Sequence, residues 1–421
     1  MLDIKFIREN IDAVKKAASE KNCKVDIDKL IKLDDKRRML MQKIEELRTK
    51  KNVASRQIPM MSESERSAAL REMKEVDEAQ EKFEDELKEI KNEFTDLMFL
   101  VPMIVDERTP RGIDESGNVE IFRNFEPPKF KFVPKSHIQI GNELDIIDME
   151  RGAKVGGSRS YILKGDGARL EAALIKYAED FISRKNYKLL SVPVIVNRQT
   201  LYGTGHFPGA EEETYYLQKD DKYLAGTSEV AIASMHADEI LNEADLPLRY
   251  AAFSVCFRRE AGSYGKDTQG LYRVHQFMKV EQFIICKNDH RESYELHEEL
   301  LSNSQEFLQN LKLPYRVLNI CTGDMGQGKY YMNDIETWMP SRESYGETHS
   351  CSTLHDFQAR RLNIRYKTKE GKINFCHTLN NTVVATPRIL IPILEMYQNE
   401  DGTVTIPEVL RPYMDNQELI G

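Results

Sequence analysis

Apolar positions in the first hundred residues recur every three to four residues; those in the remainder mostly do not. In KFIRENIDAVKKAASEK, Ile7, Ile11, Val14 and Ala18 fall on one helical face. Leu30, Leu33, Leu40, Ile44, Leu47, Ala54 and Ile58 then follow a heptad seam in which Arg37 and Lys51 also sit. After a break at Pro59, Ser62 and Ser64, a second seam runs through Met73, Val76, Gln80, Phe83, Leu87, Ile90, Phe94 and Leu97. Two heptad helices joined by a short polar break predict an antiparallel coiled-coil hairpin over about 28–98.

Residues 101–165 lose this period and carry Pro102, Pro110, Pro127, Pro128 and Pro134, so they read as a connector. From GDGARLEAALIKYAEDFISRK onward, helices alternate with strands. Leu170, Ala173, Leu174, Tyr177 and Phe181 mark an amphipathic helix. SVPVIV reads as a strand carrying Pro193, which lacks an N–H and suits an edge or an interface. PLRYAAFSVCFRRE, RVHQFMKVEQFII and LPYRVLNICTG read as further strands, and HRESYELHEELLSNSQEFLQNL as a helix. The expected fold is α+β, a mostly antiparallel sheet flanked by helices.

One stretch, FRREAGSYGKDTQGLYRVHQFMKVEQF (257–283), does not read like a buried hairpin. Strand alternation puts Arg258 and Glu260 on one face and Phe253, Val255 and Phe257 on the other, core face. On the return strand Arg273, His275, Phe277, Lys279 and Glu281 share a face, with Val274, Met278 and Val280 opposite. A guanidinium grips phosphate or carboxylate, a phenyl ring stacks on a base, and a carboxylate takes an ammonium or hydroxyl. That is an inventory for a nucleotide plus an amino acid. It is equally one for an exposed hairpin with cross-strand ion pairs, and the hairpin alone leaves both open.

Composition narrows the setting. With 40% hydrophobic residues the chain can build a real core, and 421 residues suggest two or three domains. A net charge of -9 gives no global nucleic-acid signal, so any such binding needs a local basic patch. Residues 28–58 supply one: ten Lys/Arg against five Asp/Glu, whereas residues 63–98 hold six against thirteen. Mutual pairing across the hairpin and an outer face that meets phosphates both fit, and charge alone does not choose. The start MLDIKFIREN fits neither a signal nor a transit peptide, and no apolar stretch approaches 20 residues. Six scattered cysteines without a CxxC pair predict free thiols in a reducing cytoplasm and no thiolate zinc site.

Three further clusters bear on chemistry. GTSEVA (226–231) sets Thr227 and Glu229 at a strand-to-helix junction, as a plain helix cap would also do. YGETHSCSTLHDFQARR (345–361) offers Glu347 and Ser350, a carboxylate and hydroxyl that could hold Mg²⁺ with phosphate oxygens or could end a solvated strand. HTLNNTVVATPRILIPILEMYQ (377–398) ends a loop or strand at Asn380 to Thr382 and opens a helix near Pro387–Arg388. An arginine in a first helical turn opposes the helix dipole, so an external anion is one reading of Arg388.

Taken together, these stretches resemble bacterial-type seryl-tRNA synthetases, a family of class II aminoacyl-tRNA synthetases. The resemblance runs from MLDIKFIREN through VDIDKLIKLDDKRR, DESGNVEI and LKGDGARLEAAL to IPEVLRPYM. Motif 1 matches about 168–195, motif 2 about 250–284 and motif 3 about 377–398, in the family's order. The resemblance implies a tRNA-binding domain over 1–105 and a class II catalytic domain over 106–421, with ATP and L-serine as substrates, Mg²⁺ as cofactor and a homodimer.

It also implies roles. Arg258 holds the α-phosphate and Glu260 orients ATP; Phe277 stacks on adenine beside Val274; Arg388 meets the γ-phosphate. Arg259, Thr348 and His349 join the ATP contacts, and Glu347 with Ser350 holds the metal. Thr227, Ser228, Glu229, Arg258, Glu281 and Thr382 form the serine site. Lys29, Lys32, Lys36, Arg37, Arg38, Lys43, Arg48, Lys50, Lys51 and Arg56 on the arm, and Lys266 in the motif 2 loop, are the tRNA candidates. The arm would grip the long variable arm of serine tRNA, and the same family charges selenocysteine tRNA with serine where that tRNA exists. Departures from the common pattern are NNTVVATPR for NGSGLAVGR, TSEVA for TAEVP, and His349 for a small residue.

Overall fold

The heptad seams become two long helices, Ile27–Gln57 and Glu63–Leu100, packed against each other. Leu33, Leu40, Ile44, Leu87 and Ile90 are buried between them, with Phe83, Phe94 and Leu97 against this seam. The turn is set by the residues that broke the pattern. Pro59 lies in a single 3₁₀ turn, and Ser62 and Glu65 form a reciprocal capping box that starts the second helix. The first amphipathic segment is two helices rather than one, Ile4–Glu9 and Ile11–Glu20, divided at Asn10, with Ile7, Val14 and Ala18 buried.

The computed structural model describes residues 1–263 and 270–421. It divides into two units, Asp3–Pro102 and Met103–Gly421, the latter with Met1–Leu2.

An eight-stranded sheet organises the second unit. Its strands are β1 (Val119–Asn124), β2 (Lys188–Ser191), β3 (Leu248–Phe257), β4 (Gln276–Cys286), β5 (Tyr315–Asn319), β6 (Tyr331–Met339), β7 (Ser344–His355) and β8 (His377–Thr386). They lie in the order β1-β5-β6-β7-β8-β4-β3-β2. Every neighbouring pair is antiparallel except β2 with β3. The helices Asp166–Ser183 and His290–Asn310 cover one face: Leu170, Leu174, Leu300 and Phe307 pack with Val280, Ile284, Leu379 and Val383. On the other face, Phe283 and Ile285 of β4 pack with Ile232, Ala359, Leu362 and Tyr366.

Three sequence expectations change here. Residues 101–165 are more than a connector, since they supply edge strand β1 and the helices His137–Glu143 and Met149–Gly156. Pro193 lies between β2 and a short strand Ile195–Asn197 of another sheet, not inside one strand, where its missing N–H would break the ladder. Phe253, Val255 and Phe257 are only half-buried, while the intervening Ala252, Ser254 and Cys256 are buried, so the more deeply covered face of β3 is the opposite one.

Candidate active site

A cleft of about 230 Å³ opens where the second sheet face is not covered by apolar residues. Along β4, Lys279 and Glu281 share a face with Phe283 and Ile285, so one strand face runs from core into cleft. Lys279 and Glu281 are 6% and 2% exposed. At Lys279 and Glu281 the hairpin's polar face is therefore buried and not a wet surface. Lys279 forms an ion pair with Glu281 and donates a hydrogen bond from Nζ to Thr227 Oγ1 at 2.9 Å. Burial pushes the Glu281 pKa up, and Lys279 opposes that shift.

Two β-bulges aim the neighbouring strands. Val280 pairs with Val384 and Glu281 with Thr382, which leaves Val383 as an extra residue in β8. Thr382 and Ala385, three apart, then both reach the cleft. In β7, Ile335 pairs with His349 and Glu336 with Glu347, so Thr348 is the extra residue, and Glu347 and Ser350 both line the cleft. Without the bulges, an odd spacing would send these pairs to opposite faces.

The turn after β3 brings in the guanidinium. Contrary to the strand expectation, Arg258 and Glu260 lie beyond its end at Phe257, and Glu260 takes a left-handed φ of 53°. Arg258 lies over the Phe277 ring at 5.1 Å and donates two long bonds of 3.4 Å to Gly226 O. Glu260 pairs with Arg273 at 3.3 Å. His275 precedes β4; its Nδ1 meets Arg258 O at 3.1 Å and its backbone N–H donates to Arg159 O at 3.2 Å.

Arg388 comes from the loop after β8. The helix begins at Leu390, so Arg388 lies before its first turn and the dipole argument does not apply. Its Nε donates to Tyr272 O and its Nη1 to Glu347 O, each at 3.1 Å, and the guanidinium lies over the Tyr272 ring at 4.5 Å. Glu347, whose carboxylate is 3.5 Å from Arg388, keeps a half-exposed side chain. Behind Ser350, burial and the Glu347 charge push the Asp334 carboxyl well above its usual range, and its Oδ1 lacks a hydrogen-bond partner among the described residues. Hard oxygen donors beside an unsatisfied carboxylate oxygen suit a Mg²⁺ ion that also takes phosphate oxygens.

At the opposite wall, Glu229 opens the helix Glu229–Ser234 and accepts a hydrogen bond from Gln358 Nε2 at 2.6 Å. Burial opposes its ionisation, but Lys329, His206, Gln358 and Lys279 outweigh that and hold its pKa below the ordinary value.

Some expected residues face elsewhere. His349 is 1% exposed and bridges Thr348 Oγ1 at 2.9 Å and Val383 O at 3.0 Å, away from the cleft. Ser228 turns its hydroxyl toward Ala252 O, and Arg259 reaches Glu212 O and its carboxylate. Strand alternation turns His349 away, and the tight turn after β3 directs Arg259 away from the cleft. Thr348 lines the cleft, but its hydroxyl already meets Thr337 Oγ1 at 2.8 Å. Lys266 lies outside the described residues.

Comparison with known proteins places the chain in a family. Residues 214–397 match the tRNA synthetase class II core domain (G, H, P, S and T), and residues 1–105 match the seryl-tRNA synthetase N-terminal domain. A serine–tRNA ligase of Deinococcus radiodurans is 47% identical over 100% of this chain and 99% of its own length. The chain belongs to the seryl-tRNA synthetase family. Two solved seryl-tRNA synthetases share its fold across 100% of the chain. The Pyrococcus horikoshii enzyme complexed with ATP matches at TM-score 0.92 and 37% identity, covering 99% of that chain. The cytoplasmic enzyme of Naegleria fowleri in complex with AMP matches at 0.87 and 31%, covering 98%.

Within this family frame, the arm cations are mostly engaged. Lys29, Lys36, Arg48 and Lys50 pair with Glu93, Glu86, Glu84 and Glu72 at 2.5–2.9 Å, and Lys51 pairs with Asp77. Arg37 and Arg38 hold buried Asp34. Lys43 lies over Phe83 at 5.1 Å, and Lys32 and Arg56 make no ion pair among the described residues. The mutual-pairing reading of the charge asymmetry therefore holds for most of the arm. Such solvent-exposed pairs are weak, so phosphates can compete for them.

Sequence reasoning did not single out His206, Lys329 or Tyr272, which all line the cleft. They come from loops, where no periodic pattern marks them.

Proposed function

We propose that this chain attaches L-serine to serine tRNA in two steps performed in one cleft. The observation that carries this reading is the convergence of Arg258, Glu281, Glu347, Thr382 and Arg388, from separate chain segments, on that cleft. In the first step a serine carboxylate oxygen attacks the α-phosphorus of ATP and diphosphate leaves. Arg258 meets the α-phosphate and Arg388 the γ-phosphate, Glu260 orients the nucleotide, and Phe277 with Val274 receives adenine. The long bonds from Arg258 to Gly226 O leave its guanidinium able to re-aim at a phosphate. Glu347 and Ser350 would hold Mg²⁺, which when bound supplies positive charge against the phosphate oxygens. Catalysis is then placement and charge neutralisation, with no side-chain nucleophile required.

Thr227 and Glu229 take the serine ammonium, and Glu281 and Thr382 its hydroxyl. An amino acid without the hydroxyl leaves buried polar groups unpaired, which discriminates strongly. In the second step the terminal ribose hydroxyl of the tRNA attacks the seryl-adenylate, with residues 261–272 contacting the acceptor end. Residues 1–105 are the tRNA-binding domain, gripping the long variable arm, and 106–421 the catalytic domain. Selenocysteine tRNA is a second acceptor where it exists, the motif 1 region forms a homodimer, and the enzyme works in the cytoplasm. No helix among the described residues is long and apolar enough to cross a membrane. Serine-dependent ATP–diphosphate exchange tests the core of this reading: exchange with serine supports it, and exchange with no amino acid overturns it.

A further inference from the structure

His206 is a half-buried titratable group to which the two steps above assign no task. It follows the helix Arg198–Thr204 at a sharp turn. Gly205 makes that turn with φ 85°, and a Cβ there would meet the Phe357 ring at 2.6 Å. Phe207, 0% exposed and edge-on to Tyr202 and Tyr223, anchors the other side. Arg361 Nη1 donates to both Tyr202 O and Phe207 O, and Gln358 Nε2 donates to Thr204 O. The imidazole is thus held by a rigid shell.

That shell also selects a tautomer. The Thr204 hydroxyl has one hydrogen and lies 2.9 Å from Thr200 O and 3.4 Å from Leu201 O. It is also 2.9 Å from His206 Nδ1. With the hydroxyl donating to the backbone, Nδ1 carries the hydrogen and Thr204 Oγ1 accepts it. Nε2 is then an unprotonated nitrogen with no protein partner among the described residues. Burial pushes the His206 pKa down; Glu229 opposes this, while Lys329, Arg258 and Lys279 add to it.

His206 stands where two cavities meet. A second cavity of about 410 Å³ adjoins the cleft, lined on its far side by Glu213, Thr214 and Gly262. Among the described residues, only His206, Thr227, Arg258 and Glu260 line both. ATP and serine occupy the cleft in the proposed first step, so the nucleoside end of the second substrate must approach from elsewhere. Of the four shared residues, Arg258 is a cation, Thr227 Oγ1 accepts from Lys279, and Glu260 is paired with Arg273. His206 alone of the four presents an available basic nitrogen.

We propose that His206 Nε2 accepts the proton of the terminal ribose hydroxyl of tRNA as that hydroxyl attacks the seryl carbonyl. The hydroxyl oxygen bonds to the carbonyl carbon, the bond from that carbon to the phosphate oxygen breaks, and AMP leaves with its electron pair. The proton passes to Nε2 and then to solvent. This role rests on the serine-charging reading given above.

The test separates the two steps in the full-length enzyme. Single-turnover transfer from preformed enzyme-bound seryl-adenylate to serine tRNA is measured from pH 5 to pH 8, alongside serine-dependent diphosphate exchange. His206→Gln keeps the size and polarity of the side chain but removes the base. Transfer should fall about 100-fold or more, within the range for loss of a general base, and at least tenfold further than exchange. The wild-type transfer rate should decline below the His206 pKa, under pH 6.5, and the variant should lack that acid limb. Thr204→Val, which removes the acceptor that fixes the tautomer, should slow transfer less and keep the limb. Equal losses in transfer and exchange, a persistent acid limb in His206→Gln, or unchanged transfer in that variant would each overturn the proposal. Absence of exchange in the wild-type enzyme would instead defeat the serine-charging reading itself.

Discussion

Replacing Lys279 by methionine isolates the electrostatics of the proposed serine pocket. Lys279 and Glu281 are almost wholly buried, and the ammonium also serves Thr227 Oγ1. Removing one member of a buried pair strands the other, at a cost of about 3–5 kcal/mol. Burial already raises the Glu281 pKa with Lys279 opposing, so without the lysine the carboxyl takes up a proton in the folded state. The sign follows directly. The folded protein then binds a proton that the unfolded chain, with a carboxyl pKa near 4.3, does not. Stability of Lys279→Met relative to wild type therefore falls as pH rises from the wild-type Glu281 pKa to the higher one in the variant.

Urea unfolding followed by Trp338 fluorescence measures this within the catalytic unit, since Trp338 is the chain's one tryptophan and lies in β6 of the same sheet. Lys279→Met/Glu281→Leu removes both charges and should recover most of the stability, because an apolar pair of similar volume is roughly neutral. It should not recover exchange: losing a charged hydrogen bond to serine costs about 1.5–3 kcal/mol, or roughly 10- to 150-fold. A double variant no more stable than the single one, or a gap that does not change with pH, would refute the coupling of Lys279 to Glu281.

Three further outcomes are expected. Burial holds His297 and His349 at pKa about 4, so each keeps the folded state less protonated than the unfolded one between pH 6.5 and 4. Stability should fall through that window, by about 2 kcal/mol per histidine on going from pH 8 to pH 5, and His297→Gln should lose its share in the same urea titration. Thr382→Val should cut exchange with serine about 10- to 100-fold while affecting alanine little, since the lost group would read only the hydroxyl. On the arm, Lys32, Lys43 and Arg56, which make no ion pair among the described residues, should respond most. Changing all three to Gln should raise the KM for tRNA and lower the salt slope of tRNA binding by about one unit for each phosphate no longer neutralised, leaving exchange near wild type.

The two seams were readable because a heptad pattern states both an element and its partner: Leu33, Leu40 and Ile44 could face only another apolar stripe, and it was Phe83, Leu87 and Ile90. Sequence periodicity also marked β4, β5 and the helices Asp166–Ser183 and His290–Asn310. It failed where an element's environment comes from far along the chain. Edge strand β1 hides in the proline-rich connector because its pattern is almost wholly exposed, with only Asn124 half-buried. Arg388 read as a residue of a helical turn, because nothing in ATPRIL says that the helix waits until Leu390. The cation-rich arm helix looked available for phosphates, but acids on the second helix already pair with many of its charges, a fact that exists only once the hairpin closes.

The cleft depends on departures from strand parity. Under strict alternation, Glu347 and Ser350 would face opposite ways, as would Thr382 and Ala385. The extra residues Thr348 and Val383 shift the phase of β7 and β8, so carboxylate, hydroxyls and backbone converge on the cleft that Lys279 and Glu281 enter from the strand between β3 and β8. The same β4 face becomes core two residues later, because Ile232, Ala359, Leu362 and Tyr366 cover Phe283 and Ile285. Whether a polar strand face is surface or site is thus decided by what covers its ends. In 257–283 the covering layer comes from residues before and after the hairpin, which is why the hairpin alone leaves the choice open and the closed fold does not.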